Sequence, residues 1–230
     1  MQKLEIKNLT KIYTHPYLKS VNIPILLGLN YSFTSKDLTT IYGPSGSGKS
    51  TFIKVIRGIE ALDAGEIIFN DKLIIDQKGN LHSNYCRNIG YIDQFPERNL
   101  FFSLNPFENA FYFLKTKKRI NKTEAKQKIK EIFREFNLEN IAYSRLKHLS
   151  SGEIQRVSLA TVIVQEPKIL LCDEPTSKLD QANKEIIRDY ILDFSKENDV
   201  VTIVVTHNRE LEFGNSKLEL KGGRFYNVTS

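Results

Sequence analysis

The stretch "GPSGSGKST", residues 43–51, follows directly on the β-type run "LTTIY" (38–42) and feeds into "FIKVIRGIE", which continues in helical style and stops before "DAG". It satisfies the pattern G-x-x-x-x-G-K-[ST] in full. The phosphates of a nucleoside triphosphate need a ring of inward-pointing N–H groups, and glycines let the backbone come that close. Gly43 and Ser45 open the loop, and Gly46, Ser47 and Gly48 supply its inner turn. The helix that follows adds its N-terminal dipole. Lys49 would reach the β- and γ-phosphates, Ser50 would ligate Mg²⁺, and Thr51 adds a hydroxyl or backbone contact. The bland alternative is a Gly/Ser-rich surface loop. A strand before it and a helix after it favour a nucleotide site.

Working outward, "KILLCDEP" (168–175) supplies the second half of such a site. Its apolar run ends in Asp173, at the carboxyl edge of a sheet, where folds of this class bind ligands. Asp173 can hold Mg²⁺ opposite Ser50. Glu174 follows at once and can orient or deprotonate an attacking water. Read alone, the pair is as well explained as a helix cap. "VVTIVVTH" ends in His207 at the same kind of strand terminus, placed to contact the γ-phosphate; a lone His there is more often structural. Gln94, just past the short strand "IGYID" (89–93), has the same topology and can sense water or metal.

The remaining pattern is that of an α/β domain with a mostly parallel sheet. "GEIIFNDKLII" reads as two short strands with a turn at Asn70-Asp71, and "LELKGGRFYNV" as a Gly-Gly hairpin. Between about 95 and 160 the character changes to aromatic-rich turns and helix, with Ile129, Ile132, Phe133 and Phe136 at helical spacing. A helix from 150 to Glu166 is closed by Pro167. "QANKEIIRDYILDFSKE" is a helix between two buried strands. The whole, residues 1–230, is expected to be one domain. Its core covers about 1–94 and 160–230, with a helical subdomain at about 95–160.

Composition sets limits on function. Of 230 residues, 40% are hydrophobic and 26% charged, the balance of a globular protein. No apolar run approaches the ~20 residues of a membrane-spanning helix. The N-terminus "MQKLEIKNL" is neither a signal peptide nor a lipidation signal, so a cytoplasmic protein is expected. Two cysteines without a CxxC pattern argue against disulfides and structural zinc. The net charge of +6 is concentrated in "KTKKRINKTEAKQKIKEIFR" (115–134), with nine basic and two acidic residues. A solvated helix face explains this run; a face near an anionic membrane is the sharper reading. No nucleic-acid module is recognisable, and no nucleic acid is expected as a partner.

One further segment, "LSSGE" (149–153), is a small-residue turn opening a helix, without a lysine of its own. With "GPSGSGKST", "ILLCDEP", "SKLD" and "TH" it closely resembles, over nearly the whole chain, the ATP-binding subunits of ABC transporters. The resemblance implies a P-loop NTPase core with an antiparallel β subdomain and a helical insertion, taking ATP and Mg²⁺. By it, Tyr13 stacks on adenine, although Tyr13 alone reads as a packing aromatic. Gln94 is the Q-loop residue and a metal contact, Glu174 the catalytic carboxylate, His207 the switch histidine, and Asp180 part of a dimer-contacting loop. Ser150 and Gly152 would meet the γ-phosphate of ATP held by a second subunit. The implied partners are a head-to-tail copy, itself or a paralogue, and transmembrane permease subunits at the inner membrane face. The stretch "PERNLFFSLNPFENA" resembles the groove that receives the permease. The details look most like the small ATPases of lipoprotein-release and antibiotic-export systems.

Three positions depart from the family's usual residues: Ser151 for Gly, Glu153 for Gln, and Thr161 for Arg. Two rivals remain. A soluble relative acting on an assembly scaffold or DNA would lack the permease, and the DNA-repair type carries a long coiled coil absent here. A GTPase would use "DQKG" (76–79) and "SKLD" (177–180), but "SKLD" comes too soon after Pro175 to sit on a separate strand.

Overall fold

A computed structural model describes residues 1–228 except 16, 19, 36, 77–80, 82–84, 118, 119, 210–212 and 215. In chain order the strands and α-helices are β1 (Lys3–Thr14), β2 (Asn22–Thr34), β3 (Thr39–Tyr42), α1 (Lys49–Ile56), β4 (Ala64–Phe69), β5 (Lys72–Ile75) and β6 (Ile89–Ile92). They continue with α2 (Pro106–Lys117), α3 (Lys122–Glu135), α4 (Ser151–Ile163), β7 (Ile169–Asp173), α5 (Gln181–Glu197), β8 (Val201–Thr206), β9 (Ser216–Lys221) and β10 (Arg224–Asn227).

Two sheets organise the chain. The six-stranded sheet runs β10-β9-β3-β8-β7-β6, parallel except where β10 returns on β9. Its central strands read as unbroken apolar or Thr runs because both faces are covered. Alternation along them divides the core. Ile169, Leu171, Ile203 and Val205 pack with Phe52 and Ile56 of α1. Leu170, Cys172 and Val204 face the other way, toward Phe107, Phe133 and Val157 of the helices. The second sheet is antiparallel, in the order β2-β1-β4-β5.

Both expected hairpins form. Asn70 and Asp71 take φ of 49° and 61°, and Gly222 and Gly223 take 55° and 73°. Two positive-φ residues in a two-residue loop are what the right-handed twist of a β ribbon favours.

Helix α3 is amphipathic as its spacing predicts. Ala125, Ile129 and Phe133 are buried, and Lys122, Lys126, Lys130 and Arg134 are exposed, so most of the basic run is a solvated face. Lys117 is an exception: its Nζ donates to the Ile89 carbonyl at 2.7 Å, and burial lowers its pKa. Lys118 and Arg119 lie outside the described residues. Phe133 packs edge-on against Phe107, with ring centroids 6.3 Å apart. Phe133→Ala should cost about 3–5 kcal/mol by opening a cavity; a urea unfolding midpoint unchanged from wild type would refute that packing.

One element differs from expectation. α4 ends at Ile163 rather than Glu166, with Val164 as C-cap and Glu166 at a left-handed φ of 50°. The residue before a proline is driven out of the right-handed helical region, so the turn is made before Pro167. α4 packs on β6 as well as on α2 and α3.

Candidate nucleotide-binding site

The carboxyl ends of β3, β6, β7 and β8 lie along one edge of the sheet, because these four strands run parallel and side by side. A cleft of about 420 Å³ opens there, in the size range of ligand sites. Ser45, Gly46, Gly48, Lys49, Ser50, Thr51, Gln94, Asp173, Glu174 and His207 all line it. Ten residues scattered from 45 to 207 thus converge on one space.

The loop is built as its sequence demands. Ser47 N–H donates to the Pro44 carbonyl at 3.1 Å, closing the turn before α1. Gly48 sits at φ 101°, and a Cβ there would stand 2.9 Å from Ile25 Cγ2. No other residue fits without moving β2. Lys49 is 7% exposed and folds back on the loop, donating to the carbonyls of Gly43 (2.6 Å) and Pro44 (3.1 Å). Burial lowers its pKa, opposed by the charges of Glu174 and Asp173. Gly43 and Ser47 shape the loop from behind the lining.

Asp173 is pushed up by burial and by Glu174 and Asp93, and held down by a side-chain hydrogen bond with Ser50 and by Lys49. Ser50 and Asp173 both line the cleft and so offer it a hydroxyl and a carboxylate oxygen, both hard ligands. Such a pair suits Mg²⁺, which takes one or two protein oxygens and completes its shell with phosphate and water. Among the described residues no cluster of three or more His, Cys, Asp or Glu could form a closed metal cage.

Glu174 is 8% exposed and adopts a left-handed φ of 49°. Its N–H donates to the Val205 carbonyl at 2.9 Å. Oε1 accepts from His207 N–H (2.8 Å) and from His207 Nδ1 (2.6 Å), and Oε2 accepts from Thr206 Oγ1 (2.9 Å). The carboxylate is therefore aimed by the end of β8. With Nδ1 donating to Glu174, the neutral ring presents Nε2 as an acceptor.

Gln94 owes its position to Asp93, whose Oδ1 accepts the Phe95 N–H at 2.9 Å and makes a tight Asx turn. Thr206, Asp93 and Ile25 were not among the expected site residues. Thr206 is adjacent to His207, which is the one signal the sequence offers for it.

Four expected residues stand outside the cleft. Tyr13, near the end of β1, pairs with Ile23 and has Lys11 Nζ 5.3 Å from its ring centroid. Ser150 caps α4 in a capping box: Glu153 N–H donates to Ser150 Oγ (3.3 Å), while Ser150 N–H and Oγ–H donate to Glu153 Oε2 (both 2.8 Å). Glu153 therefore has a local use, and those bonds lower its pKa. Ser151 is exposed at the first helical position, and the Thr161 hydroxyl is buried with no hydrogen-bond partner among the described residues. Gly152 is buried against Asn183, and Asp180 caps α5 by accepting the Asn183 N–H at 2.9 Å. In "SKLD", Lys178 Nζ lies 3.6 Å from the Phe95 ring centroid, so neither charge of that motif is arranged to read a base. Residues 77–79 of "DQKG" lie outside the described residues.

A second hollow, of about 310 Å³, is lined by residues of β6, α2 and α4. Arg57 lies over the Tyr91 ring at 3.6 Å from its centroid, with Arg98 and Lys117 nearby. Phe101, Phe102 and Tyr112, each nearly half exposed, belong to the aromatic stretch and its helix.

Comparison with protein families matches residues 26–177, about two thirds of the chain, to the family described as ABC transporter. The chain belongs to the ABC transporter family. It is a nucleotide-binding cassette of that family. It is 38% identical over 205 residues to the molybdate/tungstate import ATP-binding protein WtpC of Methanocaldococcus jannaschii, covering 89% of this chain and 62% of that one. It is 34% identical over 228 residues to the lipoprotein-releasing system ATP-binding protein LolD of Buchnera aphidicola, covering 97% and 96%. The chain thus spans just under two thirds of the former relative and nearly all of the latter. Among solved structures, the dimeric post-hydrolysis state of the ATP-binding cassette MJ0796, bound to ADP and Pi, superposes with a TM-score of 0.83 at 28% identity, covering 99% of each chain. Among the described residues, this cassette has no helix long and apolar enough to cross a membrane.

Proposed function

We propose that this chain binds and hydrolyses ATP within a head-to-tail dimer and so drives a separate membrane permease. One observation carries the reading: a single cleft gathers the glycine loop, Lys49, Ser50, Asp173 and Glu174 at the carboxyl edge of a parallel sheet. Loop N–H groups and the Lys49 ammonium bind the triphosphate, with Tyr13 against the adenine. Ser50 and Asp173, with Gln94, hold Mg²⁺, which supplies charge neutralisation at the phosphates. Glu174 accepts a proton from the attacking water, and His207 contacts the γ-phosphate. As an imidazolium it can donate from Nε2 while Nδ1 keeps its bond to Glu174.

The dimer is supported by what lies outside the cleft. Ser150 and Asp180 are exposed, and the lysine-free turn 150–152 lies outside the cleft with no phosphate of its own to meet. A second copy, or a paralogue, brings one. The capping box must loosen for Ser150 to turn its hydroxyl to that phosphate.

The permease is supported by the hollow beside Arg57 and by exposed aromatics, which interface cores favour. The cassette then sits on the inner face of the membrane. Wild-type protein should sediment with membranes from the cells that make it. Phe101→Ser with Phe102→Ser should shift it at least about tenfold toward the soluble fraction, with MgATP hydrolysis by the purified protein retained. Wild-type protein that stays wholly soluble would contradict the permease reading.

A further inference from the structure

Asn183, on the first turn of α5, is used twice over. Its backbone N–H donates to Asp180 Oδ1 at 2.9 Å, the ordinary bond of a helix cap. Its side chain goes further, donating from Nδ2 to the other oxygen, Asp180 Oδ2, at 2.8 Å. Both oxygens of an exposed carboxylate are thus held by one residue, and those two bonds lower the Asp180 pKa.

The other end of the same amide faces α4. Asn183 Oδ1 lies 2.3 Å from where a Cβ on Gly152 would stand, and its Cγ lies 2.6 Å away. Arg156 Nη1 donates to that Oδ1 over a long 3.5 Å. An amide has one acceptor end and one donor end, and only this orientation serves both Arg156 and Asp180. Asn183 fills the space the glycine leaves and ties it to the aspartate.

A plain helix cap needs only the backbone N–H. The side-chain bond to Asp180 and the packing on Gly152 are additional, and they join two segments distant in sequence. We infer that Asn183 is a positioning residue that locks the turn 150–152 to Asp180, so that both meet a second copy of this chain as one preset surface. The inference rests on the dimeric ATPase reading above. No other side chain does both tasks. Asp sets a carboxylate against Asp180, Gln is a methylene too long for the gap beside Gly152, and Ala leaves Asp180 Oδ2 without its partner.

The test separates assembly from nucleotide binding. In a Glu174→Gln background, the ATP concentration giving half-maximal dimer is read by analytical ultracentrifugation with Mg²⁺. Binding of a fluorescent ADP by the monomer is read in parallel. Asn183→Ala and the isosteric Asn183→Asp should each raise the ATP needed for dimer at least about tenfold, with ADP affinity within about twofold of the parent. Dimerisation of either variant at the parent's ATP concentration overturns the inference, Asn183→Asp in particular because it keeps the packing on Gly152. An equal loss of ADP affinity also overturns it, since the role is then general to the fold. If the Glu174→Gln parent itself does not dimerise, the dimeric reading has failed and this inference falls with it.

Discussion

Lys49→Ala is expected to remove ATP binding at micromolar concentrations, a loss of at least about 100-fold. Among the described residues, Lys49 is the only Lys or Arg lining the cleft, which also holds Asp173 and Glu174. Without the ammonium, two carboxylates face a polyanion with only N–H dipoles and the nucleotide's own Mg²⁺ to oppose them. The buried ammonium has already lost much of its hydration, so its charge is poorly screened and acts strongly on a phosphate. Its present partners are two loop carbonyls, Gly43 and Pro44, which a bound phosphate would replace. The fold should survive, because the lysine holds no other element in place. Calorimetric titration with MgATP tests this, with a thermal melt as control. Unchanged affinity in a folded variant would refute the assignment of the cradle.

How far the sequence announced all this depends on whether the chemistry is local. The phosphate loop is nine consecutive residues whose types follow from what a phosphate needs, so it can be read directly. β3, β7 and β8 are legible as apolar runs because a strand covered on both faces has no need to alternate. Asn70-Asp71 and Gly222-Gly223 announce hairpins because few residues accept positive φ. β1 carries no such local signal, for a physical reason. Leu4 and Ile6 alternate properly, but the register shifts between Ile6 and Leu9, where Asn8 takes φ 51°, and the period of two is lost. The grip of Thr206 on Glu174 depends on the pairing of Asp173 with Val205, which only the folded sheet supplies. Likewise nothing in "KTKKR" distinguishes Lys117, tucked onto the Ile89 carbonyl, from its solvated neighbours. The family resemblance found the exposed Ser150 turn, but the contact of Gly152 with Asn183 is tertiary and left no local trace.

Glu174→Gln is expected to reduce ATP hydrolysis by roughly 10²–10⁴-fold, the usual contribution of a positioned general base, and to leave a dimer that persists with MgATP. The structure predicts that the change is silent to the fold. Gln keeps the shape, and its amide oxygen can take the Oε1 position, where it accepts from His207 N–H and Nδ1 as the carboxylate does. Its NH₂ then faces Thr206 Oγ1, which already accepts from Asn208 N–H and, with a hydroxyl's two lone pairs, can accept again once its own proton turns away. What an amide cannot do is take a proton from water at neutral pH. Binding should be unaffected or tighter, since Lys49, Ser50 and Asp173 are untouched and one negative charge beside the triphosphate is gone. Hydrolysis is what would otherwise reopen the dimer, so blocking it should let the closed form accumulate. Gel filtration of Glu174→Gln with ATP and Mg²⁺ should show the dimer, and omission of either should return it to monomer. Monomeric elution under all three conditions would mean that the turn at Ser150 meets no second ATP, and that Glu174 is a structural anchor for the end of β8.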